Sequence, residues 1–372
     1  MGRQPALKAP VLVVGPVEPP IGGVSRYCRS VSELLRRAGT GAVQIDPGRP
    51  GANGSDLLAR ALTWPVRRAL GRSTLAVLRA AQRHRTRLVL DNQQILWRDP
   101  AEARGVRLLV RVPYALVIHD GAFPDFVETL DERRRRGLSR TLGALSGAFC
   151  MSDAILEAIL RTNPRARARR LSPLLEAPRG PGTPLPRDLE AFFEIPGPVI
   201  SASGALHPQY GLEELLAAFT ELRARGSRAR LVILVGSFAE EPSTRAALAA
   251  ARARFETGAM LALTDFPDGA AVIARSHVHV RPTRVDSFGM ALHEALLSGV
   301  PVVATEHPTR PEGVVTYPRG DVGSLARAIE VALLPAAKSA AAARAPRLRE
   351  LVERNRQETL EVLTALAADP TR

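Results

Sequence analysis

Lysine is nearly missing from this chain of 372 residues. Only Lys8 and Lys338 occur, so 49 of the 51 basic residues are arginine. A Walker-type phosphate loop needs Gly-Lys-Ser/Thr, and that triplet is absent. Schiff-base chemistry needs a lysine set in a pocket, whereas Lys338 stands in an alanine-rich stretch. Cysteine is as sparse. Cys28 and Cys150, both in apolar contexts, suit reduced core thiols and offer no disulfide framework. No window approaches the roughly 18 consecutive apolar residues of a membrane span, and "VLVV" before Gly15 is too short for a signal segment. The expected location is cytoplasmic, with any membrane contact peripheral. No nucleic-acid-binding module is recognisable, so charge alone would argue for such a partner.

What the chain does have is apolar residues, 45% of the total, with proline and glycine spread along its length. That describes a globular protein with ample core, and the length suits two domains. The formal net charge of +14 fits an anionic partner such as lipid headgroups or a phosphorylated ligand. It fits the arginine-rich codon bias of a GC-rich bacterial genome equally well.

Short apolar strands alternate with longer helical patterns, the signature of parallel sheets wrapped by helices. Strands are predicted at residues 11–15, 42–46, 87–92, 115–119, 148–152 and 170–175, with helices at 24–38 and 126–145. A Gly-rich loop is expected over residues 47–56. Residues 177–197, with "APRGPGTPLP", read as a linker. The pattern then restarts, with strands at 198–203, 230–236, 260–263, 278–282 and 301–305. Helices are expected at 212–225, 242–255, 288–299 and 321–334. After an alanine-rich joint comes a last amphipathic helix, 348–367.

The richest stretch is "RPTRVDSFGMALHEALLSGVPVVAT", Arg281 to Thr305. A loop at the carboxyl edge of a strand leads into a helix whose first N–H groups favour phosphates or hydroxyls. Asp286 and Glu294 would stand at two depths beside it and suit a polyhydroxylated ligand. The plainer alternative makes Asp286 an N-cap and Glu294 a surface charge. Near the N-terminus, Gly22 and Gly23 permit close backbone approach ahead of another helix start. His119 and Asp120 end a strand. Arg133, Arg134, Arg135 and Arg136 form a basic run that reads either as a solvated helix face or as a peripheral contact with anionic lipid.

"DSFGMALHEALLSGVPVVAT" resembles the nucleotide-binding signature of family 4 glycosyltransferases, retaining enzymes of GT-B fold. That signature runs Glu, seven residues, Glu, an apolar helix, Gly-x-Pro and a strand. Asp286 occupies the first acidic position and Glu294 the second, and Gly299-Val300-Pro301 follows. The N-terminal "VLVVGPVEPPIGGVSRYCRSVSELLRRAG" is similar to the family's first strand, Gly-Gly loop and helix. "GAFCMSDAILEAIL" is similar to its strand, Ser and helix, with Ser152 as cap.

The resemblance implies an α/β architecture of two facing, doubly wound Rossmann-like domains around an interdomain cleft. Residues 1–185 would bind acceptor and 195–345 the nucleotide sugar, and residues 346–372 would cross back to the first domain. Asp286 and the backbone of Phe288, Gly289 and Met290 would hold the donor sugar, and Glu294 the ribose. His119 would touch the sugar, and Arg310, in the loop 309–312, would serve the donor phosphates. No cofactor or metal is expected beyond the nucleotide diphosphate sugar and a hydroxyl acceptor. One departure matters. The family's diphosphate-binding Arg and Lys are replaced by Ala205 and Tyr210. Arg284, Arg310, His207 or helix N-termini would have to substitute; otherwise the donor differs from the usual, or the chain is an inert relative that binds a sugar or nucleotide, or acts as a scaffold.

Overall fold

The computed structural model describes residues 9–19, 21–47, 76–93, 112–175, 182–255, 258–286, 288–308 and 310–368. Most of the expected Gly-rich loop at 47–56, residues 177–181 of the expected linker, Ser287 and Thr309 lie outside them. The chain divides into two compact units. The first comprises Met1–Glu18, Val24–Leu174 and Arg354–Arg372, and the second Pro19–Gly23 and Leu175–Glu353.

In the first unit, strands β1 (Val11–Val14), β2 (Ala42–Ile45), β3 (Leu88–Asp91), β4 (Tyr114–Ile118), β5 (Gly147–Cys150) and β6 (Ala168–Arg170) form one parallel sheet, ordered β2-β1-β3-β4-β5-β6. Helices α1 (Gly23–Arg37), α2 (Phe123–Glu128), α3 (Glu132–Ala144) and α4 (Asp153–Thr162) accompany it, with a further helical run over residues 76–84. Strands β1, β3, β4 and β5 are buried throughout. That is why they read as unbroken apolar runs rather than alternating ones. The core under them joins Leu12, Val89, Leu116, Ile118, Phe123 and Leu142. Each such side chain contributes about 1.5–3 kcal/mol on removal from water.

The second sheet comprises β7 (Val199–Leu206), β8 (Arg230–Glu240), β9 (Met260–Thr264), β10 (Val278–Arg281), β11 (Val302–Thr305) and β12 (Val315–Tyr317), ordered β12-β11-β10-β7-β8-β9 and again parallel. Its helices are α5 (Arg187–Glu194), α6 (Leu212–Ala224), α7 (Pro242–Arg254), α8 (Gly269–Arg275), α9 (Met290–Leu297) and α10 (Val322–Ala332). The long α11 (Pro335–Ala368) ends the described chain. The strand order reverses between β7 and β10, and ligands of open parallel sheets bind at such switch points, outside the carboxyl ends of the strands.

Four local expectations need correction. The single helix over 126–145 is two, α2 and α3, because Asp131 interrupts it as an N-cap and accepts from Arg134 N at 2.8 Å. The sixth strand ends at Arg170 instead of beginning there. The second half of the supposed linker holds α5, whose Leu189 and Phe192 pack with Val199 and Val232. The alanine-rich joint is continuous with α11. Alanine is the best helix former, and the run carries helix through to Pro346, which lies inside α11.

Candidate functional site

At the switch point of the second sheet, the loop after β7 and the loop after β10 lie against each other. Arg284 N donates to Gln209 O at 2.7 Å. Gly211 holds a left-handed φ of 64°, and a Cβ there would come within 2.1 Å of Pro282 O. Only glycine fits. Tyr210, standing where the resemblance expects lysine, lays its ring against Gly204, where a Cβ would meet it at 2.9 Å. Ala205 is fully buried. The two positions therefore serve packing and supply no cation.

Asp286 is not the N-cap of α9. Gly289 is, at φ 77°, and helix begins at Met290, two residues later than expected. The Asp286 carboxylate instead receives two guanidiniums. Arg281 donates from Nε to Oδ2 at 2.7 Å and from Nη2 to Oδ1 at 2.9 Å. Arg310 donates from Nη1 to Oδ2 at 2.7 Å. Burial alone would raise the pKa of Asp286, but the two arginines hold it well below the usual carboxylate range. Arg310 is further fixed from Nε to Thr305 O at 3.0 Å and from Nη2 to Thr305 Oγ1 at 3.1 Å. A Cβ on Gly289 would lie 3.0 Å from Asp286 Oδ2 and 3.3 Å from Arg281 Nε, so glycine leaves the room that the ion pair fills.

Glu294 lies buried in α9 and is no surface charge. His293 stacks on Phe288 with centroids 3.9 Å apart and planes at 10°, and its Nδ1 lies 3.2 Å from Gly289 O. Burial pushes its pKa down to about 4, so it is neutral near pH 7. Phe288 and Met290 also pack beside Leu297 and Leu348.

The loop Pro19–Gly23 belongs to this second unit. Ile21 N donates to Asp265 Oδ1 at 3.1 Å, Ser237 N to the same oxygen at 3.1 Å, and the Ser237 hydroxyl to Oδ2. Asp265 adopts a φ of 47°, unusual for a residue with a side chain. Burial opposes its charge, but these bonds outweigh it and lower its pKa. A Cβ at Gly23 would stand 3.8 Å from Met290 Sδ. The Gly22–Gly23 loop thus joins the entry of α9, with Asp265 as an anchor that sequence reasoning missed. So too with Arg281. The unusual φ of Asp265 leaves no sequence signal, but Arg281, five residues before Asp286 at a strand end, was visible.

His119 belongs to the first unit, just after β4. Its Nε2 lies 2.9 Å from Asn92 Oδ1, and Tyr27 meets its ring edge-on at 4.8 Å. Asn92 Nδ2 donates to Val14 O at 3.1 Å and Leu90 O at 3.3 Å, which orients the amide and leaves Oδ1 as acceptor. His119 therefore carries its proton on Nε2 and its lone pair on Nδ1. Burial lowers its pKa to about 3, so it stays neutral.

On α3, Arg134 approaches Asp131 at 3.7 Å, Arg135 approaches Glu128 at 3.8 Å and Arg136 approaches Glu132 at 3.8 Å. Three of the four arginines of the run are thus partly offset by neighbouring acids. Both cysteines are free and buried. Among the described residues no helix is long and apolar enough to cross a membrane. Nor does any cluster of three His, Cys, Asp or Glu side chains among them suit a metal ion.

Residues 197–334, the bulk of the second unit, match the family model described as Glycosyl transferases group 1. Solved structures resemble nearly the whole chain. Sucrose-phosphate synthase from Thermosynechococcus elongatus matches with a TM-score of 0.71 at 18% identity, covering 97% of this chain and 100% of its own. The Anabaena protein Alr3699/HepE, in complex with UDP-glucose, matches at 0.70 and 16%, covering 96% and 100%. A UDP-forming α,α-trehalose-phosphate synthase from Burkholderia xenovorans matches at 0.67 and 16%, covering 98% and 100%. A comparison with curated proteins returned no match. The chain has the GT-B class of fold, two Rossmann-like α/β units with parallel sheets. Its second unit carries the glycosyl transferases group 1 pattern.

Proposed function

We propose that the protein is a retaining glycosyltransferase, moving a sugar from a nucleotide diphosphate sugar to a hydroxyl acceptor on a glycan, lipid-linked or natural-product substrate. The observation that carries this reading is the switch point of the second sheet. There Gly289 opens α9, Glu294 is buried on that helix, and the Gly22–Gly23 loop stands beside Met290. UDP-glucose and UDP-2-fluoro glucose, named with solved structures of the same fold, support it.

The chain's own groups would act chiefly by positioning and by electrostatics. Glu294 would hold the ribose hydroxyls. The backbone of Phe288 to Met290 and the Gly22–Gly23 loop would approach sugar and phosphates closely, with the free N–H groups of α9 facing developing negative charge. Neutral His119 would accept a sugar hydroxyl on Nδ1. Arg310 would act indirectly, by bracing Asp286. This reading gives no step to a metal or other cofactor. Residues 1–185 are assigned to the acceptor. A lipid-borne acceptor would suit peripheral contact through Arg133 to Arg136.

The test is a mass-spectrometric screen of nucleotide sugars against sugar, lipid and small-molecule acceptors. Transfer or donor hydrolysis by the wild type, abolished in Glu294→Ala, is expected. Tight nucleotide binding with no turnover across the panels would instead identify an inert relative.

A further inference from the structure

We propose that Arg281 is the guanidinium that grips the donor diphosphate, with Asp286 as the residue that positions it. The inference rests on the nucleotide-sugar reading above and supplies the phosphate partner that Ala205 and Tyr210 leave missing. Arg281 is the last residue of β10, at the switch point, and Pro282 to Arg284 hold the loop of Gln209 to Gly211 against it. The cation is thus shifted to the neighbouring strand, beside the loop that lacks one.

Exposure distinguishes the members of the cluster. The side chains of Arg281, Asp286 and Arg310 are 13%, 5% and 4% exposed, so solvent reaches Arg281 most. Donor use points the same way. A guanidinium has five N–H groups. Arg310 directs Nε, Nη1 and Nη2 into the protein. Among the described residues, Arg281 spends only Nε and one N–H of Nη2, both on Asp286. The end-on edge formed by Nη1 and the second N–H of Nη2 remains, and that edge matches two phosphate oxygens.

The cluster is not a bare positive well. Two guanidiniums face Asp286, and Glu294 also acts on Arg281 through space. Discrimination would therefore come from directed N–H bonds more than from net charge. Burial opposes the charge on Arg281, but Asp286 outweighs it and raises its pKa, so the group is a permanent cation. The two-point pair also fixes the guanidinium plane next to the Gly289 entry of α9, so its free edge and the helix N–H groups can serve one anion together.

Calorimetric titration of the full chain with UDP, GDP and ADP, their monophosphates and inorganic pyrophosphate tests the proposal. The wild type should prefer one nucleoside diphosphate over its monophosphate. Arg281→Ala should lower diphosphate affinity about 10- to 100-fold, the worth of one or two charge-assisted bonds, while leaving the monophosphate within about twofold. Asp286→Asn should erode the same preference. Arg281→Lys, which keeps charge but loses the fork, should give an intermediate loss and serves if the alanine variant fails to fold. Arg252→Ala, an exposed arginine of α7 with no part in the site, should keep the preference. An unchanged preference in folded Arg281→Ala or Arg281→Lys, or equal loss for both ligand types, overturns the role of Arg281 alone. A wild type that binds no nucleotide of the panel overturns the nucleotide-sugar reading and this inference with it.

Discussion

Arg281 and Asp286 meet side-on across the loop that follows β10, through Nε to Oδ2 at 2.7 Å and Nη2 to Oδ1 at 2.9 Å. With Arg310 on the other side of the carboxylate, the pair ties the end of β10 to the entry of α9 and to the segment after β11. The loop geometry of the candidate site therefore depends on three side chains and on the glycine that makes room for them.

Gly289→Ala should disrupt this tie. The new Cβ would stand 3.0 Å from Asp286 Oδ2 at a φ of 77°, whereas Gly320, at φ 86°, has nothing within 4 Å. Both substitutions carry backbone strain of about 1–3 kcal/mol. Only Gly289→Ala should also lose nucleotide affinity. Thermal midpoints paired with nucleotide titrations of the two variants check this.

Placing cations at Ala205 and Tyr210 should do harm. Ala205→Arg would force a charged side chain into a fully buried site, and Tyr210→Lys would strip the ring that covers Gly204. Urea unfolding should show losses of about 2 kcal/mol or more for Ala205→Arg. A stable variant with tighter diphosphate binding would show that the two positions tolerate charge and can serve a phosphate.

Stability should fall with acid before the carboxylates titrate. His119 and His279 have pKa values lowered to about 3 and His293 to about 4, against an ordinary 6.5. Below pH 6.5 the unfolded chain binds protons that the folded chain does not, so stability is lost as pH drops from about 6.5 to about 4 through His293 and to about 3 through His119 and His279. The slope is at most about 1.4 kcal/mol per pH unit for each histidine. Above pH 7 these groups should contribute no slope. Unfolding free energies across pH 4–8, with His293→Gln giving a shallower fall, measure it.

Asn92 should set the proton on His119. Asn92→Asp places a carboxylate against Nε2, which raises the His119 pKa from about 3. Wild-type activity should show no His119 titration between pH 5 and 8, while the variant should acquire a pH-dependent limb there. Histidine NMR titration of the two proteins reports the shift directly.

The parallel sheets were legible because β1, β3, β4 and β5 are buried on both faces and read as unbroken apolar runs. Helix α5 was hidden by proline and glycine on its N-terminal side, since its apolar pattern, Leu189 and Phe192, occupies only two turns. At the site, a loop after β10 leading into a helix that carries Glu294 was legible in one segment, although the helix begins at Met290 and not at 288. The partners of Asp286 were not, because Arg310 reaches it from 24 residues away. The anchoring of the Gly22–Gly23 loop by Asp265 spans 244 residues from Ile21, beyond any local pattern.

A proton NMR time course with donor and acceptor reads glycosyl transfer and its stereochemistry together. Nucleoside diphosphate and a new glycosidic anomeric signal should appear together, with the donor's anomeric configuration kept, and both should vanish in Glu294→Ala. An inverted product would contradict the retaining assignment, and a donor left intact by the wild type across nucleotide sugars and acceptors would contradict the enzyme itself.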